Sequence, residues 1–142
     1  MVLTTKIYKT YLKQVISKYP VLDFTKPVKL PLVEPYNASN GQYVAYPQNA
    51  AGTNLGVGFP FEATSFALTS TSSTMLITPT TFHWNTISAG LTKIAIKQIL
   101  PNSVEIDCII ISLGATYSPD GSLDVDLTNN GFISFNSGTF IT

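Results

Sequence analysis

The sequence predicts an all-β protein, an antiparallel β-sandwich or jelly-roll-like barrel, preceded by an N-terminal amphipathic helix and an extended proline-rich arm. Short segments rich in Thr, Ile, Val and Phe recur over residues 63–142, and Gly, Asn and Pro separate them. A helical apolar stripe occupies residues 1–19, and six prolines interrupt residues 20–62. At 142 residues, the chain suits a single domain made of these three parts.

The N-terminal segment has the spacing of an amphipathic helix. From Ile7 onward, apolar and aromatic residues fall at positions i, i+4, i+5 and i+8, and lysines lie on the other side. Pro20 ends the helix, because proline disfavours helical geometry in the residue before it. We expect this helix to anchor the chain to neighbouring subunits through Tyr8, Tyr11, Leu12, Val15 and Tyr19.

The segment 20–62 is predicted to be an arm that lies over another surface. Proline lacks an N–H donor and fixes φ, which argues against long central strands, although 28–33 and 42–46 could pair at sheet edges. Its aromatic rings need a buried environment, supplied either by this chain or by a neighbour. The further interface anchors predicted here are Tyr36, Tyr43 and Tyr46.

The C-terminal part alternates as antiparallel strands do. After residue 90, Ile94 and Ile96 share one face and Lys93 lies on the other. Beyond a turn at 101–102, the apolar residues at even-numbered positions from 104 to 110 continue this face on the return strand. Strands are predicted over 66–69, 74–78, 81–86, 91–100, 104–110, 122–127, 132–135 and 139–142.

Charge is scarce and unevenly distributed. Only 11% of the residues are charged, against about a quarter in a typical soluble domain. Between Pro35 and Thr92, Glu62 is the one formally charged residue. All eight cations are lysines and the net charge is zero, so we expect no nucleic-acid partner. No apolar run is long enough for a transmembrane segment.

No catalytic motif is apparent, and we expect neither an enzyme nor a cofactor. His83 is the only histidine, and its neighbours provide no nucleophile motif and no metal-ligand spacing. Cys108, the only cysteine, lies in an apolar run where a thiol is usually a core residue. The glycine-rich segment 52–58 is followed by Phe-Pro-Phe rather than by a helix, so it is not a nucleotide-binding loop.

Two further groups of residues suggest ligands. Asp120, Asp124 and Asp126 are a weak candidate for calcium, although strand alternation explains Asp124 and Asp126 equally well as exposed positions, and no metal is our first expectation. Phe82, Trp84 and Tyr117 could form a platform that stacks on a glycan. The same rings could instead be core or interface residues.

In its low charge, its Thr-, Ser-, Asn- and Gly-rich strands over 66–142, its proline-punctuated arm and its lack of a catalytic set, the chain resembles small β-rich structural proteins of bacteriophage particles. The resemblance rests on overall composition rather than on a motif. It implies a minor capsid, decoration or vertex protein, or a fibre component. Such a protein is made in the host cytoplasm and located in the virion, with copies of itself and other virion proteins as partners. The alternative is a carbohydrate-binding or host-surface-binding β-sandwich module.

Overall fold

The computed structural model describes residues 4–17, 28–31, 42–68, 72–78, 81–100, 102–118, 121–127, 132–136 and 140–141. Tyr19, Tyr36, Asp120 and most of the predicted arm before residue 42 lie outside this part of the chain, as does the side chain of Val15. What the sequence predicts for them stays a prediction.

The described residues form eleven strands and one helix, so the predicted all-β class is confirmed. The finer expectation of a sandwich or jelly roll stays a prediction. The elements are β1 (Thr4–Tyr8), α1 (Lys9–Ser17), β2 (Val28–Pro31), β3 (Gln42–Gln48), β4 (Phe59–Leu68), β5 (Ser72–Thr78), β6 (Thr81–Ile87), β7 (Leu91–Ile99), β8 (Glu105–Tyr117), β9 (Gly121–Asp126), β10 (Phe132–Asn136) and β11 (Phe140–Ile141).

Nine strands hydrogen-bond into one curled sheet in the order β10-β5-β4-β3-β7-β8-β1-β11, with β2 also paired to β4. The β1–β11 pair is parallel, and the other pairs of described strands are antiparallel. Although β10 and β1 stand near opposite ends of this order, they contact each other. The sheet therefore curls into a half-barrel, while β6 and β9 form a separate two-stranded ribbon.

The chain enters the sheet before the helix begins. Ile7 and Tyr8, which the sequence pattern assigns to the helical stripe, lie in β1, and β1 pairs with β8. Ile7 is fully buried, because a strand between β8 and β11 turns one face to the core. The helix starts only at Lys9. Residues 1–19 therefore contribute a strand to the sheet as well as a helix.

The expectation that residues 42–46 pair at a sheet edge is wrong, because they belong to β3, which lies between β4 and β7. Its pairing with β4 covers Tyr43 to Ala45 only, whereas its pairing with β7 continues through Pro47 to the end of the strand. Pro47 therefore lies where only one side of β3 is paired in the sheet. A proline can be accommodated in such a position despite its missing N–H.

A β-bulge in the β7–β8 hairpin changes which residues face inward. The pairing skips Cys108, which is the extra residue on β8. Cys108 and Ile109 are consequently both buried, and the inward positions that follow are odd-numbered. The expected inward orientation of Ile110 and Val104 is wrong, since Ile110 is half-buried and Val104 is 49% exposed. Cys108 is a core residue, as predicted, and burial raises the pKa of its thiol.

The ribbon packs against the curled sheet through aromatic rings. The ring centre of Phe82 on β6 lies 5.2 Å from that of Phe61 and 5.7 Å from that of Phe59 on β4. The Trp84 ring lies 6.1 Å from Phe59. Ring pairs at such separations contribute about 0.5–1.5 kcal/mol beyond the area they bury. These contacts hold the two layers of the described fold together.

The aromatic core extends to the helix through two tyrosines. Tyr11 and Tyr43 are 1% and 4% exposed, and their rings meet edge-on at 6.3 Å. Their hydroxyl oxygens are 2.9 Å apart and share a buried hydrogen bond. The pKa of Tyr11 is raised well above its usual value, mainly by burial and to a smaller extent by the nearby Tyr43. The helix is thus fixed to β3 by both apolar and polar contact.

We expect Tyr11→Phe to lower the free energy of unfolding by about 1 kcal/mol, because it removes one buried hydrogen bond and keeps the ring. Tyr11→Ala should cost about 3–5 kcal/mol, since it also removes the packed ring. Urea denaturation followed by circular dichroism measures both changes. Tyr117→Phe, at a half-buried ring on β8, is the matched control and should change stability less. Equal losses for Tyr11→Phe and Tyr117→Phe would contradict the assigned hydrogen bond.

Candidate functional site

A pocket of about 350 Å³ lies between strand β6 and the junction of the β3–β4 loop with β4. Residues 57–59 line one side and residues 83–86 line the other. Val57 and Phe59 supply apolar wall, and His83 and Asn85 supply polar groups. A concave, partly apolar surface with a few polar groups is the usual form of a ligand site, so we treat this pocket as the candidate functional site.

Hydrogen bonds hold the loop 49–58 against β3. The buried side chain of Gln48 donates from Nε2 to Asn54 Oδ1 at 2.8 Å. The backbone N–H of Leu55 donates to the carbonyl of Pro47 at 2.7 Å. Because its middle is tied to the end of β3 in this way, the loop presents its last residues to the pocket in a defined position.

The pocket is closed where the loop meets the β6–β7 turn. The N–H of Ser88 donates to the carbonyl of Leu55 at 3.0 Å. A Cβ atom on Gly56 would lie only 3.0 Å from the carbonyl oxygen of Thr86, so glycine allows this close approach. At Gly58 an added Cβ would lie 2.4 Å from a β3 side-chain atom. Both glycines therefore let the loop backbone form the pocket wall.

A β-bulge in β6 exposes two consecutive side chains at the pocket. Between Trp84 and Ile87, β6 has one residue more than the paired stretch of β9. Asn85 and Thr86 are both exposed as a result, whereas Trp84 and Ile87 on either side are buried. The bulge gives the pocket two adjacent polar side chains, which a regular strand would place on opposite faces.

His83 is held between two oxygen atoms at the edge of this pocket. It lies directly opposite Asp124 on β9, and its Nδ1–H donates to Asp124 Oδ1. Its Nε2 lies 2.8 Å from Asn85 Oδ1. Because both ring nitrogens face acceptors, the arrangement favours the doubly protonated imidazolium. The pKa of His83 is raised accordingly, first by the hydrogen bond to Asp124 and then by that to Asn85.

The indole of Trp84 carries a hydrogen-bond donor that is not used within the described residues. Trp84 is 4% exposed, and its Nε1–H is buried with no acceptor in that part of the chain. Leaving a buried donor unpaired costs about 1–3 kcal/mol. Other atoms of Trp84 line the pocket, whereas this buried nitrogen belongs to the core.

The site can bind by hydrogen bonding and apolar contact. In the described structure both nitrogens of His83 are engaged by Asp124 and Asn85, so the imidazole is not paired with a nucleophile there. The expectation that the chain is not an enzyme stays a prediction.

Asp124 and Asp126, two of the three predicted aspartates, lie on the exposed face of β9, as strand alternation indicates. Asp124 accepts from His83, and Asp126 accepts from Thr81 Oγ1 at 2.8 Å. Across the residues described, no group of three or more His, Cys, Asp or Glu side chains could hold a metal ion. Asp120 lies outside those residues, so the weak calcium candidate as a whole stays a prediction.

The predicted interface anchors divide into two groups. Tyr11 and Tyr43 are buried in this chain's own core, so they offer almost no surface to a neighbour, and their assignment as interface anchors is wrong. Tyr8, Leu12 and Tyr46 are half-buried and keep part of their surface accessible. For those three, the anchor role stays a prediction.

The predicted glycan platform is not an exposed surface. Phe82 is completely buried and Trp84 nearly so, because the alternation of β6 turns both rings toward Phe59 in the core. Tyr117 is half-buried near the end of β8. Stacking of a sugar on the faces of Phe82 and Trp84 would require the ribbon to leave the sheet.

Comparison with known proteins gives no match for this chain. No protein-family model, curated protein or solved structure matches it. Within the described ranges, no helix has the length and apolarity that crossing a membrane would need. The site must therefore be interpreted from its own geometry.

Sequence patterns do not single out Val57 or Asn85, although both line the pocket. The alternation over 81–86 predicts that His83 and Asn85 share the exposed face of a strand. It does not predict that Asp124, forty-one positions away, lies opposite His83. The contribution of Val57 depends on the path of the loop, for which the local sequence offers no periodicity.

We expect Asp124→Asn to lower the pKa of His83 toward its ordinary value of about 6.5, because it removes the carboxylate that stabilises the imidazolium. His83 is the only histidine, so a proton NMR titration follows one imidazole. A folded-state pKa above the unfolded value means that this pair stabilises the fold at low pH. Its contribution is lost as pH rises through the folded-state pKa.

Asp126→Asn is the matched control, since Asp126 lies on the same face of β9 but bonds to Thr81. It should leave the pKa of His83 nearly unchanged. A His83 pKa that is equally affected by both substitutions would contradict the specific pairing with Asp124.

Proposed function

We propose that this protein is a non-enzymatic structural component of a bacteriophage particle, such as a minor capsid, decoration or vertex protein. It would assemble with copies of itself, as a trimer or pentamer, and with other virion proteins. The observation that carries the proposal is an uncharged face formed by residues 49–58 and 85–90, which we call the neutral face.

The formal charges of the described hairpin lie outside the neutral face, and on the ribbon the paired His83 and Asp124 border it at Asn85. Lys97 Nζ lies 3.2 Å from Glu105 and 3.8 Å from Asp107 on the β7–β8 hairpin. Asp124 and Asp126 occupy the outer face of the ribbon. The neutral face instead carries exposed Ala, Thr, Asn and Ser side chains. Charge is thus segregated rather than spread over the surface.

Such segregation favours association through the neutral face. Removing a charged group from water costs far more than removing an amide, a hydroxyl or a methyl group that finds a partner. The centres of protein interfaces are accordingly depleted in charged residues. Val57, which is 84% exposed near the end of the loop, adds apolar surface that a neighbour would cover. In a particle, many copies would make the same weak contact at once, and together these contacts would give a stable attachment.

The packing of the β6–β9 ribbon on the curled sheet supports the further expectation of a two-layered sandwich in this role. Glycan binding by ring stacking, the alternative expected from the sequence, loses support because Phe82 and Trp84 are buried.

We expect Val57→Lys to weaken self-association at least tenfold, because an ammonium group would be buried without a partner in the interface. Sedimentation velocity over a range of concentrations measures the effect. Val104→Lys is the matched control: Val104 is also an exposed valine, but it lies beside the β7–β8 turn. It should leave association unchanged. A parent protein that stays monomeric at every concentration would contradict the proposal.

The particle role has its own test. In particles purified from the virus that encodes this chain, mass spectrometry should find it at a fixed ratio to the other particle proteins. Its presence only in the soluble fraction of infected cells would rule out a virion component and leave any self-association to be explained otherwise.

A further inference from the structure

His83 connects the charged side of the β6–β9 ribbon to the neutral face. Its imidazole is hydrogen-bonded to Asp124 on β9 and to Asn85, where the 85–90 segment of the neutral face begins. The side chains of His83 and Asp124 are 48% and 62% exposed, so both exchange protons with solvent. His83 is the only histidine, and histidine is the side chain whose ordinary pKa lies between about pH 5 and 8. A change of pH in that range therefore acts at the border of the neutral face.

Asp124 is the charged group that acts most directly on His83. It lies opposite His83 on β9, and Asp126 lies two residues further along the same exposed face. Strand β4 packs against β6 and carries one ionisable residue, the exposed Glu62. Residues 57–59, which line the pocket together with His83, do not ionise. The proton of His83 therefore decides the net charge of the His83–Asp124 pair.

The same proton fixes the direction of the Asn85 amide. Nε2 of His83 lies 2.8 Å from Asn85 Oδ1, and a hydrogen bond between these two atoms needs a proton on Nε2. When the ring is neutral and keeps its Nδ1–H on Asp124, Nε2 becomes an acceptor, so Asn85 must turn its amide to donate to it. The group that Asn85 directs away from His83 then changes from the N–H2 donor to the oxygen acceptor. Protonation thus reverses the hydrogen-bonding character of one residue of the neutral face.

Protonation also decides whether the border of the neutral face carries a net charge. In the imidazolium form, the positive ring compensates the carboxylate of Asp124. In the neutral form, that carboxylate keeps its full charge. Covering an uncompensated carboxylate with a neighbour costs more hydration free energy than covering a compensated pair, and equivalent carboxylates on two copies repel each other. The protonated form is therefore the one that favours association.

We propose that protonation of His83 controls self-association through the neutral face, which strengthens as the pH falls. This inference rests on the proposed self-association but not on the role in a particle. His83 and Asp124 need not lie inside the interface, because Asn85 and the net charge of the pair carry the effect to its border.

Sedimentation velocity of the full chain at about pH 5.5 and about pH 8.5 tests the proposal, since His83 is mainly protonated at the first and mainly neutral at the second. We expect the dissociation constant for self-association to be at least about fivefold smaller at the lower pH. Linkage is reciprocal, so self-association should raise the pKa of His83 by the logarithm of the same factor. Proton NMR titrations at low and high protein concentration measure that change, and circular dichroism reports whether the fold is retained.

Asp124→Asn is the informative variant, because it removes the compensating charge and keeps a side-chain oxygen for Nδ1–H of His83. The protonated ring then carries the uncompensated charge, so association should weaken as the pH falls, which is the reverse of the parent. Asp126→Asn is the matched control, since Asp126 lies on the same face of β9 but bonds to Thr81. It should keep the pH dependence of the parent. His83→Gln retains hydrogen-bonding groups and does not titrate, so its association should not depend on pH.

The other outcomes separate this inference from the proposed function. A parent dissociation constant that is independent of pH would overturn the inference and leave the proposed self-association intact. The same pH dependence in the parent and in His83→Gln, or in the parent and in Asp124→Asn, would assign the effect to other groups and overturn the inference as well. A parent that is monomeric at both pH values and at every concentration would contradict the proposed function and this inference together.

Discussion

The contact between the rings of β4 and those of β6 is the interaction on which the described fold depends. The β6–β9 ribbon is a separate sheet, so its position is set by side-chain packing on the curled sheet. Phe82 supplies most of this packing, through its contacts with Phe59 and Phe61. Phe59 also lines the pocket. The pocket is therefore built on the same residue that joins the two layers.

The chemistry of the outer ribbon face follows from this packing. Because side chains alternate along a strand, burying Phe82 and Trp84 places His83 on the other face, where it meets Asp124 in register. A slip of one residue would bury His83 and expose the rings. The same alternation places Asn85, two residues along the strand, within reach of the imidazole. The His–Asp–Asn arrangement is thus a consequence of the core rather than a separate feature.

Local patterns predicted most of the strands after residue 66, but they assigned part of β1 to a helix and did not show how the strands come together. The alternation over 122–127 predicted the buried Val125 and the exposed aspartates, because a strand repeats every two residues. The amino-acid composition does not reveal the bulges at Cys108 and after Trp84. Each bulge changes which residues face inward or outward. The sequence also does not show what surrounds an aromatic ring. From the sequence alone, Tyr11 could be covered by its own core or by a neighbouring subunit, and in the structure its own core covers it. Register and burial are properties of pairing between distant segments.

Because much of the aromatic content lies inside the chain, the rings no longer argue for association, and the distribution of charge must do so. Lys97 with its two carboxylate partners keeps the β7–β8 hairpin hydrated, since exposed ion pairs gain little from being covered. The uncharged side chains of the neutral face lose less hydration free energy when they are covered. An assembly that covers the neutral face and leaves the hairpin in solvent loses the least hydration free energy. The same orientation would cover Val57, the most exposed large apolar side chain of the described residues, together with the mouth of the pocket.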